Sequence, residues 1–570
     1  MKRYLLFILL GLQNLAHGQK ILFKEFLGKP TQKSVSVKVF FSSDVEISAQ
    51  YGTTPGKYSA QTNWQGVKAN EPGEILIDNL SPNTAYVYRL QYRLPASSSI
   101  NYRPEFSFQT QKAIGGNFSF VVQADPHLDE QSDSALFRLC LKNQLADKPD
   151  FMIDLGDILM TDKLKNVNGV IPRDTITYRS QLFRDYYETI SHSVPIFISM
   201  GNHEGEAGWN LTNNENNIAV WGTLDRKKYF MNPSPNDFYT GDQTKHAYVG
   251  LRENYYEFTW GDAQFIILDP YWYTTSKPDA NTGWRWTLGK AQYDWLRSSL
   301  ERSKAKFKFV FAHQLIGGDP NGRGGIEFAD NYEWGGKNKD GSDGFAANRP
   351  GWYKPIKDLF TENRVSIFFH GHDHFYAKQD KDCLVYQETP QPSHPIFATA
   401  NQAADYGYVK GEIYPNTGHL RVNVNGDGVK VDYVRAYLPK NETATRKNRD
   451  VSTTYFIGSK NCYDDKPNNL VLWNSNYVDE MVYPNPVQQR TTISFTLKKP
   501  DSISLAIYNI SGQRVKQLLS NNPAQDGSFQ LAWDGTNEQN IRLPPGVYFY
   551  EFTGLNTPPK TGKIILTESL

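Results

Sequence analysis

Three observations predict an α/β layered domain flanked by two β-sandwich modules. From about residue 117, continuously apolar runs alternate with helical stretches, the pattern of strands covered on both faces. Before and after that region, shorter runs alternate apolar and polar positions between turns rich in Pro, Gly and Asn. The length of 570 residues exceeds one hydrophobic core, since a domain takes about 100–200 residues.

The opening segment, residues 1–18, carries Lys2 and Arg3, an apolar run from Tyr4 to Leu12, and small residues Ala16 and Gly18 at cleavage spacing. This predicts a secretory signal peptide and export through the periplasm. The run falls short of the roughly 20 residues that span a bilayer, and no other segment is apolar enough, so no stable membrane span is expected. Residues 20–112 hold SVSVKVFF, VEISAQYG, GEILIDNL and AYVYRLQYR, read as short strands. Leu80, Pro82, Thr84, Tyr86 and Tyr88 give this segment a resemblance to a fibronectin type III domain, more narrowly to the N-terminal domain of purple acid phosphatases.

Residues 116–440 contain the strand candidates FSFVVQA, DFMIDL, VPIFISM, QFIILD, FKFVFA and VSIFF, and the helical stretch LGKAQYDWLRSSLERSK. Two long polar stretches, 206–253 and 317–351, interrupt them and are expected to rim a functional pocket. Residues 441–480 read as a linker. Residues 481–570 return to alternating strands, expected as a β-sandwich. Tyr483-Pro484-Asn485-Pro486, Tyr508-Asn509 with Gly512, Trp533-Asp534-Gly535, Gly546-Val547-Tyr548 and Lys563 resemble the C-terminal sorting domain of type IX secretion substrates. That resemblance implies a secreted or cell-surface protein that meets the outer-membrane secretion machinery.

Composition excludes some classes. The 61 basic and 60 acidic residues nearly cancel, so net charge gives no support to a nucleic-acid scaffold. The three cysteines, Cys140, Cys383 and Cys462, match no zinc framework; a Cys383–Cys462 bridge and free thiols are both compatible with them.

The chemistry gathers in five clusters, each just after an apolar run: Asp125-Pro126-His127, Gly156-Asp157, Gly201-Asn202-His203-Glu204, His313, and Gly371-His372-Asp373-His374. Ligands of α/β sheets collect at the carboxyl ends of strands, so five clusters at strand ends predict one shared site. The two-residue spacing of Asp125 with His127, and of His372 with His374, points both side chains the same way in extended backbone. Oxygen and imidazole donors without thiolate suit borderline metals, and the set is large enough for two ions.

The ordered motifs D-x-H, GD, GNHE, H and GHxH resemble the calcineurin-like metallophosphoesterase superfamily, which implies a four-layer α/β/β/α sandwich. By that resemblance Asp125, His127 and His374 hold one metal, Asn202, His313 and His372 the other, and Asp157 bridges them. The two ions, divalent or of mixed valence, are Fe, Mn or Zn. His203 faces the substrate as a catalytic group and Glu204 orients it. His370 and Asp373 support the site without ligating. Met160 stands where purple acid phosphatases carry an iron-binding tyrosine, so a purple chromophore is not expected.

Two ions about 3.5–4 Å apart can share a water as hydroxide for attack on phosphorus, with His203 able to protonate the leaving oxygen. The expected function is a secreted phosphatase acting on small phosphate monoesters. A phosphodiesterase or nucleotidase on the same site is the enzymatic alternative, and a non-catalytic surface binding protein the other. Arg323 is a candidate phosphate clamp, and Trp209, Trp221 and Tyr332 are candidate stacking rings.

Overall fold

The computed structural model describes residues 20–318, 322–458, 477–497, 499–510, 512–554 and 560–568. The expected signal peptide, residues 1–18, and Cys462 lie outside them. The chain divides into two compact units, Met1–Asp465 and Lys466–Leu570.

In the first unit, the strands Ile21–Gly28, Val35–Phe41 and Pro72–Ile77 form an antiparallel sheet; a second sheet is built on Val45–Gly52 and Ala85–Arg93. Alternate side chains of both, among them Val37, Val39, Ile47, Tyr88 and Leu90, close one core, as a period-two sequence requires. Val35–Phe41 is nevertheless buried at every position. Its other face lies on the following domain. Phe40 stacks on Tyr229 with ring centroids 5.4 Å apart, and Lys38 Nζ donates to the carbonyls of Lys227 and Phe230 at 2.9 and 2.8 Å.

Each of the six apolar runs after residue 117 forms a strand. Phe118–Gln123, Phe151–Asp154 and Ile196–Ile198 lie parallel, with Gln123, Asp154 and Ile198 level with one another. In a second sheet Ala263–Ile267, Phe307–Phe311, Ile367–His370 and Leu384–Glu388 are parallel neighbours. The two sheets share an aromatic core that includes Phe120, Phe151, Phe265 and Phe311, with Phe120 edge-on to Phe265 at 5.1 Å. Helices cover the other faces. Tyr187 on the helix Arg173–Tyr187 donates its hydroxyl to Asp154 at 2.6 Å. Phe360 on the helix Ile356–Glu362 meets Phe368 at 6.2 Å. Burial on both faces explains why these strands read as unbroken apolar runs.

The first long polar stretch is not a rim loop throughout. It contains the helix Ile218–Tyr229, which carries Tyr229 to Phe40. A buried ion network fixes its ends. Glu206 accepts from Arg226 at 2.7 and 3.0 Å and from Arg252 at 2.6 Å, and Arg252 also donates to Asp269 at 2.7 Å. Arg252→Met leaves two buried carboxylates short of a cation; a loss on the order of 3–5 kcal/mol is expected, read as the shift in a urea unfolding curve. A shift within experimental error would show that Arg226 alone neutralises the cluster.

Asp150, just before the strand Phe151–Asp154, accepts from the Ser119 N–H at 3.1 Å, and burial pushes its carboxyl up to about 6. A carboxyl raised in the fold favours the protonated native state. Its stability contribution is therefore present below the unfolded value near 4 and is lost as pH rises through about 6. Asp150→Asn is expected to raise the melting temperature at pH 8 and leave it unchanged at pH 4. Equal shifts at both values would contradict the burial argument.

In the second unit, Tyr477–Tyr483, Thr491–Leu497 and Gly527–Trp533 form one antiparallel sheet, and Arg514–Ala524, Asp501–Asn509, Gly546–Gly554 and Lys560–Leu566 another. Ile493, Phe495, Leu505, Trp533, Tyr550 and Ile564 are buried in one core. The Trp533-Asp534-Gly535 turn is closed by Asp534, whose carboxylate accepts from the Thr536 hydroxyl at 2.6 Å.

Cys383 is disulfide-bonded and Cys140 is free and buried. No helix among the described residues is long and apolar enough to cross a membrane.

Candidate metal centre

The parallel strands deliver their carboxyl ends to one place. Asp125 and His127 follow Gln123, Asp157 follows Asp154, Asn202 follows Ile198, His313 follows Phe311, and His372 and His374 follow His370. Donor atoms of Asp125, His127 and His374 lie within 4.8 Å of one another, and so do those of Asp157, His313 and His372. The groups adjoin: His313 Nε2 is 3.2 Å from Asp157 Oδ2, 3.7 Å from Asp125 Oδ1 and 3.1 Å from Asn202 Oδ1. His127 Nε2 is 3.6 Å from Asp125 Oδ1 and 3.5 Å from Asp157 Oδ2. His374 Nε2 is 3.4 Å from Asp125 Oδ1.

Three atoms at the middle, Asp125 Oδ1, Asp157 Oδ2 and His127 Nε2, are buried without a hydrogen-bond partner. Such atoms cost about 1–3 kcal/mol each, more when charged. Orphaned oxygens facing imidazole nitrogens at 3.2–3.7 Å are what a cation-binding donor set requires, so the residues present fit metal ions.

Burial opposes ionisation of Asp125, but His313 and His374 outweigh it and hold the carboxyl below its usual range. Asp157 is likewise held low against burial, by His313 and His203. His313 is pushed the other way: despite burial, Asp157 and Asp125 raise it to about 9. Imidazolium thus supplies the countercharge, and a metal that binds here must displace that proton.

The D-x-H backbone is not extended, contrary to the expectation from spacing. Asp125, His127, Asp157, His372 and His374 all have left-handed φ, at 57°, 48°, 61°, 79° and 66°. Each such residue costs about 1–3 kcal/mol and persists only where its surroundings impose it. Here the Asp125 N–H donates to the Gly156 carbonyl at 3.0 Å. Arg179, a buried helix residue, donates to the carbonyls of Leu159 at 2.7 Å, Leu128 at 3.1 Å, and His127. Two glycines permit close approach: a Cβ at Gly201 would collide with Asp157 Oδ1, and one at Gly371 would sit 2.6 Å from Asp125 Oδ2.

The supporting residues fall around this centre. Glu204 accepts from the N–H groups of Asp157 at 3.1 Å and Ile158 at 2.7 Å, tying the GD loop to the GNHE loop. His203 donates its N–H to Asp157 Oδ1 at 2.8 Å, and its Nε2 lies 3.9 Å from Asp157 Oδ2. His370 Nδ1 is 2.8 Å from Glu388 Oε2, and its ring stacks on Phe368. Asp373 accepts from Arg323 at 3.0 Å, the Gly324 N–H at 2.8 Å and the Tyr408 hydroxyl at 2.9 Å. Arg323 also donates to the His372 carbonyl at 2.7 Å and lies over Tyr406, so its fork steadies the ligand-bearing loop.

A cavity of about 350 Å³ opens beside Asn202 and His372. Of the three candidate rings only Trp209 lines it; Tyr332 is buried against Trp284 at 5.8 Å, and Trp221 sits on the helix Ile218–Tyr229. Sequence reasoning missed Arg179, Gln314 and the cavity residues Lys165, Lys277 and Trp286. Only Gln314, next to His313, carried a positional signal; the others come from separate segments with ordinary local sequence.

A layered α/β domain with carboxylate, imidazole and amide donors at its strand ends is the architecture of a metal-dependent hydrolase. Residues 118–376 match the family model described as calcineurin-like phosphoesterase. The protein is accordingly a hydrolase of phosphoric ester bonds. Residues 481–567 match the model of the secretion system C-terminal sorting domain, which marks a secreted or cell-surface protein. The solved structure of PhoD is similar in fold at 14% identity, over 77% of this chain and 90% of that one, with a TM-score of 0.54. The purple acid phosphatase PPD1 from yellow lupin (Lupinus luteus) seeds aligns at 15% identity over 76% of this chain and 74% of that one, with a TM-score of 0.48. No match is found among curated proteins.

Proposed function

We propose that the chain hydrolyses small phosphate monoesters outside the cell with two metal ions. Asp125, His127 and His374 would hold one, Asn202, His313 and His372 the other, with Asp157 shared. The observation that carries this reading is the convergence of the orphaned atoms Asp125 Oδ1, Asp157 Oδ2 and His127 Nε2. When bound, such ions supply water of lowered pKa and neutralise charge on phosphoryl oxygens.

The chain's own residues do the rest. In the net reaction a water oxygen bonds to phosphorus, the ester P–O bond breaks, and the leaving oxygen takes a proton. His203, partly exposed beside Asp157, would give that proton. Its carbonyl is held by the Thr161 N–H and hydroxyl at 3.0 and 2.9 Å, which fixes the turn that presents it. Glu204 and Arg323 keep the ligand loops in register. The residue boundaries 116–440, an α/β/β/α layering, and delivery by the C-terminal unit to the outer-membrane machinery belong to the same proposal.

The test is a hydrolysis panel after reconstitution with Mn, Zn or Fe: p-nitrophenyl phosphate, its bis ester and nucleotides, with metal content measured in parallel. Hydrolysis of the monoester ahead of the others is expected. Preference for the bis ester or for nucleotides would assign the site to phosphodiesters or nucleotides. Neither metal nor turnover would leave a binding protein.

A further inference from the structure

The cavity beside the metal-capable centre has a one-sided charge. Lys165 and Lys277 line it together with Trp209 and Trp286, and no carboxylate is among the described residues that line it. Both lysines are exposed, and Asp279, close to Lys277 in sequence, faces Arg285 at 3.5 Å. The two indoles meet edge to face at 5.9 Å. Tyr271 backs Trp209 at 6.4 Å and is itself held by its hydroxyl donating to Gln314 at 2.7 Å. The aromatic wall is therefore preset. The loop carrying Lys165 is anchored through Thr161 to the His203 carbonyl, so it shares a support with the proposed proton donor.

Asn202 and His372 belong both to the cavity lining and to the centre, so the cavity is a recess next to the scissile phosphate that can take the rest of a substrate. Two cations, with no carboxylate among the described lining residues, favour an anion there, and indoles favour an apolar or planar body between the two ends. Resting on the phosphoesterase reading above, we infer that the preferred substrates are phosphate monoesters whose leaving group carries a second anionic group, bound by Lys165 and Lys277. That group is a carboxylate or a phosphate.

The test compares phenyl phosphate with 4-carboxyphenyl phosphate and 1,4-benzene bisphosphate, using the metal-loaded full chain. The second anion is expected to raise kcat/KM roughly tenfold, as a charge-assisted hydrogen bond would, with the two probes separating carboxylate from phosphate. Lys165→Ala and Lys277→Ala should each shrink that ratio, and rising ionic strength should shrink it in the wild type. Phenyl phosphate turnover with no advantage for either dianionic probe overturns the inference and leaves the phosphatase reading standing. No turnover of any probe by metal-loaded protein removes both. A ratio that survives both lysine substitutions also overturns it, because the discrimination would then arise elsewhere.

Discussion

Asp157→Asn is expected to give a folded protein that no longer retains its metal, with activity falling by more than the ~10–100-fold that loss of an outer-sphere partner costs. The geometry separates the two oxygens. Oδ1 accepts the His203 N–H at 2.8 Å, a contact the asparagine carbonyl can keep. Oδ2 is the orphan, 3.2 Å from His313 Nε2 and 3.5 Å from His127 Nε2, where the two donor groups meet. An amide nitrogen there brings protons toward nitrogens that must be bare to ligate, and removes one of the two carboxylate charges between the imidazoles. Circular dichroism should be unchanged while elemental analysis shows depletion of both ions. Full metal content in the variant would end the assignment of Asp157 as the shared ligand.

Much of this arrangement was legible in the sequence because strand ends and motifs coincide. A strand buried on both faces needs an unbroken apolar run, so FSFVVQA or FKFVFA announces both a strand and the point where it stops. The metal-capable residues follow those points, and parallel pairing brings the points level. The backbone of the site was not legible. Nothing local in Asp125-Pro126-His127 specifies φ of 57° and 48°; those angles are imposed by the Gly156 carbonyl and by Arg179, 52 residues from His127. The same holds for the long polar stretch after Glu206. Its composition reads as loop, but Arg226 and Arg252 converge on Glu206 and give it a buried anchor that no sequence window contains.

The role of Glu204 shows how a motif can name a residue and leave its task open. The resemblance implies that it orients His203. Here its oxygens receive N–H groups from Asp157, Ile158 and Gly201, so it acts on the backbone of both loops. Burial, with Asp157 adding to it, pushes its carboxyl up to about 7. That position joins the loop of the shared ligand to the loop of the proposed proton donor.

His203→Ala separates that donor from the metal-binding set. The side chain belongs to neither three-residue donor group, and its Nε2 stands 3.9 Å from Asp157 Oδ2, at the partly exposed edge of the centre. Its backbone N–H, which supports Asp157, survives the substitution. Metal content is therefore expected to stay at the wild-type level. Activity should fall by about 10²–10⁴-fold on alkyl phosphates, whose leaving oxygen needs a proton as the P–O bond breaks. On p-nitrophenyl phosphate, which leaves as a stable anion, the fall should be far smaller. The quantity to measure is the ratio of the two losses at matched metal occupancy. Unequal losses place the proton on His203. Equal losses would mean that the imidazole only binds the phosphoryl group, since withdrawing a positive charge from the transition state penalises both esters alike.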